Sequence, residues 1–425
     1  MSLEPKASAA AKSDIDHRLL IPFLAHAILV QALILVIRIT TSYRTIELDL
    51  PVVWLGIIAT GFALIPAFTA LPVGRWIDRG NDAKACRLGA ALVLVACIGF
   101  WGWSGSALYL LSFSVLLGFG HMFCMAGHQM LAVHAGGIRS RENVIGYYMV
   151  ATSVGQGLGP LVVGWLGGSA ALAPTQELFA IGLVAAVASA AIALLIRPRA
   201  KRARSSDRAP LIPVAALLRM RGFPVLMAAS VVTVTALDLL VIYLPVLGTE
   251  REIDSDHIGL LLTLRSVASL ISRVFYTRLI FAVGRLPLTL ASMLASAVTF
   301  LILAIPLALP TMYAVLIALG FAMGIASTLT ISSVVHLAPP DACGTALTLR
   351  MTGNRIGQIV FPALAGLLAA ATGVAGVLLA LGAGLAASGM AVALRKPSGK
   401  GGERSGGDAR EQGYVMSDPI QIRMP

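Results

Sequence analysis

The stretch VGQGLGPLVVG at residues 154–164 has a counterpart, IGQIVFPALAG, 202 residues later at 356–366. Both stretches read GQxxxPxxxG. The same offset pairs Leu117-Gly118-Phe119 with Leu319-Gly320-Phe321, and His134 with His336. Several matches at one offset indicate that the chain duplicates about half of its length. We therefore predict two related halves.

The composition places these halves in a membrane. Of 425 residues, 57% are hydrophobic and only 12% are charged, and the mean hydropathy is +0.86. The fold class we expect is an all-α membrane protein with twelve transmembrane helices in two pseudo-symmetric six-helix bundles. The helices are predicted near 19–42, 52–74, 87–104, 107–133, 144–168, 176–196, 223–247, 257–281, 286–306, 311–337, 345–371 and 374–394.

The predicted organisation has five parts. A tail at 1–18 precedes the first bundle at 19–196, a basic linker at 197–222 leads to the second bundle at 223–394, and a disordered tail follows at 395–425. The net charge is +12, and 25 of the 32 Lys and Arg residues fall in the tails and in the loops on one side. By the positive-inside rule both termini are cytoplasmic, in a plasma or inner membrane. The basic linker is expected to meet lipid head groups rather than nucleic acid.

Enzyme and metal motifs are sparse. The four cysteines form no CxxC pair, and the sequence lacks HExxH and the P-loop pattern. An acyltransferase-like H-x4-D spacing runs from His336 to Asp341, but the repeat of this histidine, His134, is followed at that spacing by Arg139. We expect no enzyme activity, cofactor or metal. A membrane acyltransferase and a transport-inactive sensor stay as minor alternatives.

Two parallel repeats are typical of transporters whose halves rock about a site at their interface. The spacing G-x8-G-x3-G-P-x2-G in the fifth helix resembles the antiporter motif of the major facilitator superfamily, in particular its drug and metabolite exporters. The matching residues are Gly146, Gly155, Gly159, Pro160 and Gly164.

A second resemblance lies between helices two and three, where Gly74, Asp78 and Arg79 match part of the superfamily's cytoplasmic loop signature. The resemblance implies that both motifs serve gating and conformational change. A third family feature, an Arg in the fourth helix, is replaced by Ser114.

Charged residues inside predicted spans are few, and each costs free energy unless it has a partner or lines a cavity. Five are Arg and one is Asp, which predicts a positive cavity that favours an anionic solute. Arg273 and Arg350 lie closer to a membrane surface and have snorkelling as an alternative. The predicted substrate-binding residues are Arg355, Arg265, Arg38, Asn354, Gln358 and Gln156.

Asp238 is the only acid deep in a predicted helix. It is a candidate for proton coupling, or for a counter-ion of Arg265. His121 and His128 are further proton-coupling candidates, because imidazole titrates near neutral pH.

The sequence thus predicts a monomeric secondary transporter that works by alternating access, with a small-molecule solute and protons as its partners. Proton-coupled export of a small organic solute, possibly anionic, is the favoured function. The alternative is an organic-anion uptake symporter or facilitator.

Overall fold

The structure is a computed structural model, and it describes residues 17–77, 79–135, 141–196, 214–339 and 343–394. Within these ranges the regular elements are helices, as predicted. They are α1 (His17–Glu47), α2 (Val53–Ile77), α3 (Asp82–Trp103), α4 (Ala107–Ala135), α5 (Arg141–Gly167), α6 (Thr175–Leu195), α7 (Val214–Arg219), α8 (Phe223–Glu250), α9 (Ser255–Val283), α10 (Arg285–Ala304), α11 (Leu309–Leu337) and α12 (Cys343–Ala393).

Ten of the described helices are long and apolar enough to cross a membrane. Residues Thr345–Ala393 of α12 are long enough for two crossings, and α2 contributes a shorter apolar segment, Val53–Thr69. The backbone of α12 breaks at Gly373, where φ is +71°, a left-handed conformation that favours glycine. The described part of the predicted linker, from residue 214, forms the short helix α7.

The helices form two bundles, and α1–α6 and α8–α12 will be called the N half and the C half. The two ends of the protein are also named: the tail end is where α1 begins, and the far end is where α1 ends. The halves meet along three helix pairs, α1 with α8, α2 with α12, and α5 with α9. We call this contact the seam.

Glycines let backbones touch at the seam, and the two sides do so in the same way. A Cβ built on Gly259 would lie 2.5 Å from the Pro160 carbonyl oxygen, and one on Gly56 would lie 2.2 Å from the Pro362 carbonyl oxygen. Pro160 and Pro362 are the equivalent prolines of the GQxxxPxxxG repeats. The duplication predicted from the sequence is therefore also a structural pseudo-symmetry.

Backbone hydrogen bonds close the seam at the far end. The Ser255 amide donates to the Ala170 carbonyl at 2.9 Å, and the Asp256 amide donates to the Gly168 carbonyl at 3.2 Å. Among the described residues, the hydrogen bond between halves that lies nearest the tail end joins Arg273 Nη1 to Ser153 Oγ at 3.2 Å. It lies ten residues before the end of α9, or roughly 15 Å along the helix axis. The seam is thus tightest at the far end.

Candidate substrate-binding site

An ion pair joins the two halves in the middle of the protein. Arg38 on α1 donates from Nη1 to Oδ1 of Asp238 on α8 at 3.1 Å, and the two side chains are 13% and 23% exposed. Each charge compensates the other at a depth where an isolated charge is costly. This pair is absent from the sequence prediction, which named Arg265 as one possible partner of Asp238.

The pair extends into a longer polar chain through α12. Gln358 donates from Nε2 to the second carboxylate oxygen of Asp238. The other amide atom of Gln358, Oε1, accepts a hydrogen bond of 3.0 Å from Nη1 of Arg355, one turn earlier on the helix. Arg38, Asp238, Gln358 and Arg355 therefore form one connected network, which will be called the central network.

Two aromatic rings support the Arg38 guanidinium. Its carbon lies 4.9 Å from the centroid of the Phe62 ring, within the range of a cation–π interaction. The Phe62 ring packs in turn on His121, with 5.6 Å between centroids. Both ring nitrogens of His121 are buried without a hydrogen-bond partner in the described part of the chain. His121 thus lies behind the central network.

A cleft opens beside Arg38 and is lined by both polar and apolar side chains. Thr41, Ser42 and Thr45 line it from α1. From α4 it is lined by Ser114, the residue found where the superfamily has an Arg. The cleft therefore has a guanidinium from α1 and a small hydroxyl from α4.

Arg265 lies apart from the ion pair. It is 7% exposed and donates from Nη2 to its neighbour Ser266 at 2.9 Å, while its Nε has no partner among the described residues. Since Asp238 contacts Arg38 and Gln358, the suggested Asp238–Arg265 pair is wrong in this conformation.

The remaining predicted binding residues lie close to the seam. Asn354 accepts from Ser230 Oγ at 3.2 Å, which ties α12 to α8 inside the C half. The backbone carbonyl of Gln156 accepts from Ser266 Oγ at 3.4 Å across the seam. These contacts position the helices around the central network.

The glycines of the α5 motif pack against two different helices, α1 and α9. A Cβ on Gly155 or Gly159 would lie 2.4 or 2.6 Å from a carbonyl oxygen of α1, within the N half. Gly164 instead faces α9, where a Cβ would lie 3.1 Å from the Cα of Gly259. Only the Pro160–Gly164 end of the motif therefore reaches the seam.

Other predicted gating residues have open surroundings. A Cβ on Gly74 or on Gly146 would meet no atom within 4 Å. Arg79 is exposed at the turn after α2. Asp78 lies outside the described residues.

His128 is separate from the central network. Its Nε2 lies 2.6 Å from Nδ1 of His26, and both rings are fully buried within the N half. Sequence reasoning grouped His121 and His128 on one helix face, but their surroundings differ.

Phe62 is the contributor that sequence reasoning missed. The sequence repeat pairs Gly118 with Gly320. In the structure, Gly118 packs on the Phe62 carbonyl and Gly320 packs in the same way on the Arg265 carbonyl. Phe62 and Arg265 thus occupy equivalent places in the two halves.

The comparisons agree with this architecture. The sequence profile of the Major Facilitator Superfamily matches residues 19–256 and 226–419. The chain belongs to the Major Facilitator Superfamily, and its fold is that of a secondary transporter.

Several solved transporters share the fold at low sequence identity. The nucleoside transporter NupG is 13% identical, with a TM-score of 0.72 over 88% of this chain and 98% of its own. A POT family transporter crystallised with 5-aminolevulinic acid is 11% identical, with a TM-score of 0.70 over 87% and 94%. A bacterial homologue of the human lysosomal transporter Spinster, in an inward-facing and occupied conformation, is 15% identical, with a TM-score of 0.66 over 88% and 93%. No curated protein matches the sequence.

Proposed function

We propose that this transporter moves a small organic anion together with a proton, and that both bind at the central network. The observation that carries the proposal is the Arg38–Asp238 ion pair, which spans the seam beside the cleft. Symport was the alternative in the sequence prediction, and the ion pair favours it over export.

The charge of the region supports an anionic solute. Arg38 and Arg355 are joined through a single carboxylate, Asp238. The centre therefore carries one more positive charge than negative. A planar guanidinium matches the geometry of a carboxylate or phosphate group, so an anionic solute can take the place of Asp238 at Arg38.

Competition at Arg38 supplies the coupling. When the anion binds Arg38, Asp238 loses its counter-ion and its neutral form is favoured. Conversely, a proton on Asp238 releases Arg38 for the anion. The anion and the proton thus promote each other's binding. Because this coupling of binding free energies is reciprocal, we expect the two to cross the membrane together.

The ion pair also explains why the empty carrier returns. Without solute, Arg38 and Asp238 neutralise each other, and with solute and proton bound the same two residues are again neutralised. In both states Arg38 and Asp238 add no net charge to the interior of the membrane, so both states can change conformation.

The orientation completes the proposal. With the basic tail end in the cytoplasm, the seam that is tight at the far end corresponds to a state closed to the outside. The Pro160–Gly164 contact with α9 and its α2–α12 equivalent are then the hinges about which the halves rock. His128 has no part in this mechanism.

Proteoliposomes loaded with a pH-sensitive dye provide the test. Salts of small monocarboxylates, dicarboxylates and phosphate esters are added outside in turn. Symport predicts that a transported anion acidifies the lumen, faster than in protein-free liposomes that report passive entry of the free acid. Asp238→Asn should abolish the acidification, whereas Asp256→Asn, a partly exposed far-end carboxylate, should retain it.

A pH change in the lumen of the opposite sign would support the export prediction. If a transported solute makes the lumen alkaline, proton and solute move in opposite directions and the symport proposal is wrong. Acidification that is unchanged in Asp238→Asn would instead remove Asp238 from the coupling.

A further inference from the structure

A second cluster of polar side chains lies inside the N half, away from the central network. It consists of His26 on α1, Cys86 on α3 and His128 on α4, and its possible ligand atoms all lie within 4.8 Å of one another. All three side chains are 0% exposed. The cluster joins three helices at one point and will be called the His–Cys–His cluster.

The packing around this cluster keeps it closed and brings the sulfur close. A Cβ on Gly127 would lie only 2.7 Å from Cys86 Sγ, so the glycine gives the thiol its place against α4. The rings of Phe23 and Tyr148 cover His128, with centroids 5.8 and 6.0 Å away. The His128 side of the cluster is thus aromatic.

The hydrogen bonding of the two histidines is incomplete. The contact between His26 Nδ1 and His128 Nε2 satisfies one nitrogen of each ring. His26 Nε2 and His128 Nδ1 are buried without a partner in the described part of the chain. Buried polar atoms normally have partners, so this histidine pair is held in place by its mutual contact alone and not by a full set of hydrogen bonds.

We propose that the His–Cys–His cluster is a binding site for a soft monovalent metal ion, Cu(I). Thiolate and imidazole are ligands that Cu(I) prefers. One thiolate and two neutral imidazoles around Cu(I) carry no net charge, whereas the same ligands around Zn²⁺ would carry a charge of +1. A buried complex without net charge avoids the cost of placing a charge in the interior of the protein.

Binding requires a small rearrangement and the loss of one proton. The Cys86 S–H bond breaks, the sulfur–copper bond forms, and the proton leaves to solvent, with no change in oxidation state. Two nitrogens bound to one ion at about 2.0 Å stand roughly 3.3 to 3.5 Å apart, so the rings must separate by less than about 1 Å from their present contact. The ion then fastens α1, α3 and α4 within the N half, independently of the transport cycle.

Copper competition on the purified full-length protein is the test. Under reducing conditions, the protein is titrated with Cu(I) held by a chromophoric chelator, and we expect one ion to transfer per chain. Cys86→Ser and His128→Gln should each weaken binding by about tenfold or more. The matched control is Cys97→Ser, also a buried thiol of α3 but outside the cluster, which should bind as the wild type does.

Two further measurements test the ligand set and the preference for Cu(I) over Zn²⁺. The X-ray absorption spectrum of the wild-type complex should show one sulfur and two nitrogen ligands, and it requires no variant. Titration with Zn²⁺ and a zinc chelator should show much weaker binding. Failure of the wild-type protein to take Cu(I), equal binding by Cys86→Ser and Cys97→Ser, a different ligand set, or tighter binding of Zn²⁺ would each overturn the proposal.

Discussion

At the scale of single residues, the proposed mechanism rests on a few charged side chains that share partners. Asp238 accepts from Arg38 and from Gln358, and Gln358 also accepts from Arg355. Removal of one member therefore changes the surroundings of the others. Effects of single substitutions in this network are expected to be non-additive.

The first prediction concerns stability. Asp238→Asn should lower the free energy of unfolding by about 2 to 4 kcal/mol, because it leaves the Arg38 charge uncompensated. The double variant Asp238→Asn/Arg38→Gln should recover at least about half of that loss, since no charge is then left unpaired. Denaturation in detergent measures both. Equal losses in the single and double variants would show that the uncompensated Arg38 charge is not the cause of the lost stability.

The second prediction concerns the shape of a guanidinium. Arg355→Ala should abolish transport, and Arg355→Lys should reduce it by about tenfold or more, because an ammonium group cannot reproduce paired planar N–H donors. The flux of an identified solute into proteoliposomes is the measurement. Arg285→Lys, a change of the same kind at an arginine that donates to Ser332 near the tail end, should keep its flux. Full activity of Arg355→Lys would mean that only the point charge matters.

The sequence could predict which residues are charged inside the membrane but not which of them touch. Arg38, Arg355 and Asp238 stand out because their helices are otherwise apolar, and the cost of burial makes each a candidate. Their pairing depends on how α1 and α8, 200 residues apart, rotate about their axes. Helix rotation is set by packing, which the apolar composition of these spans does not encode as a clear stripe. Hence the sequence offered Arg265 as a possible partner of Asp238 and did not identify Arg38.

At the scale of helices, close backbone approach determines where elements can move. Gly56 and Gly259 put α2 and α9 directly against the carbonyl oxygens of Pro362 and Pro160. The repeat motif predicted that such glycines matter, and it located Gly164 and Gly366. It did not reveal that Gly155 and Gly159 pack inside the N half. The spacing of glycines along one helix does not determine which other helix packs against each of them.

The third prediction tests these contacts as a pair. Gly259→Ala and Gly56→Ala should each loosen the far end of the seam, because the added Cβ would lie within 2.5 Å of a carbonyl oxygen. A cysteine placed at Thr249, whose hydroxyl reaches the Ala171 carbonyl across the seam, should then react faster with a maleimide. Gly74→Ala and Gly146→Ala, where a Cβ meets no atom within 4 Å, serve as controls. Unchanged reactivity in both seam variants would contradict the hinge assignment.

At the scale of the whole molecule, the two halves act as similar bodies joined at one end of a seam. The hydropathy and the repeat predicted this architecture well, because membrane thickness and duplication leave few alternatives. The ends of the helices were less predictable. His17–Glu47, for example, extends past the apolar run at 19–42, because residues beyond the run continue the backbone hydrogen bonds.

The fourth prediction is that the far end of the seam must open during transport. A disulfide between cysteines at Ala170 and Ser255, whose backbones share a hydrogen bond of 2.9 Å, should lower flux by about tenfold or more and reduction should restore it. The control is a disulfide at Glu47 and Thr175, which touch at the far end within the N half. It should leave flux intact. Normal flux in the cross-linked protein would show that the far end of the seam does not open during transport.

At its closest points the seam brings main-chain atoms of the two halves together. Carbonyl oxygens and glycine Cα atoms are the same whatever the side chains around the cleft become. Substitution of cleft residues such as Ser114 or Thr41 can therefore change the transported solute. The backbone contacts that allow the halves to move stay the same. On the proposed mechanism, we expect the backbone contacts of the seam to be kept while the side chains around the cleft change with the solute.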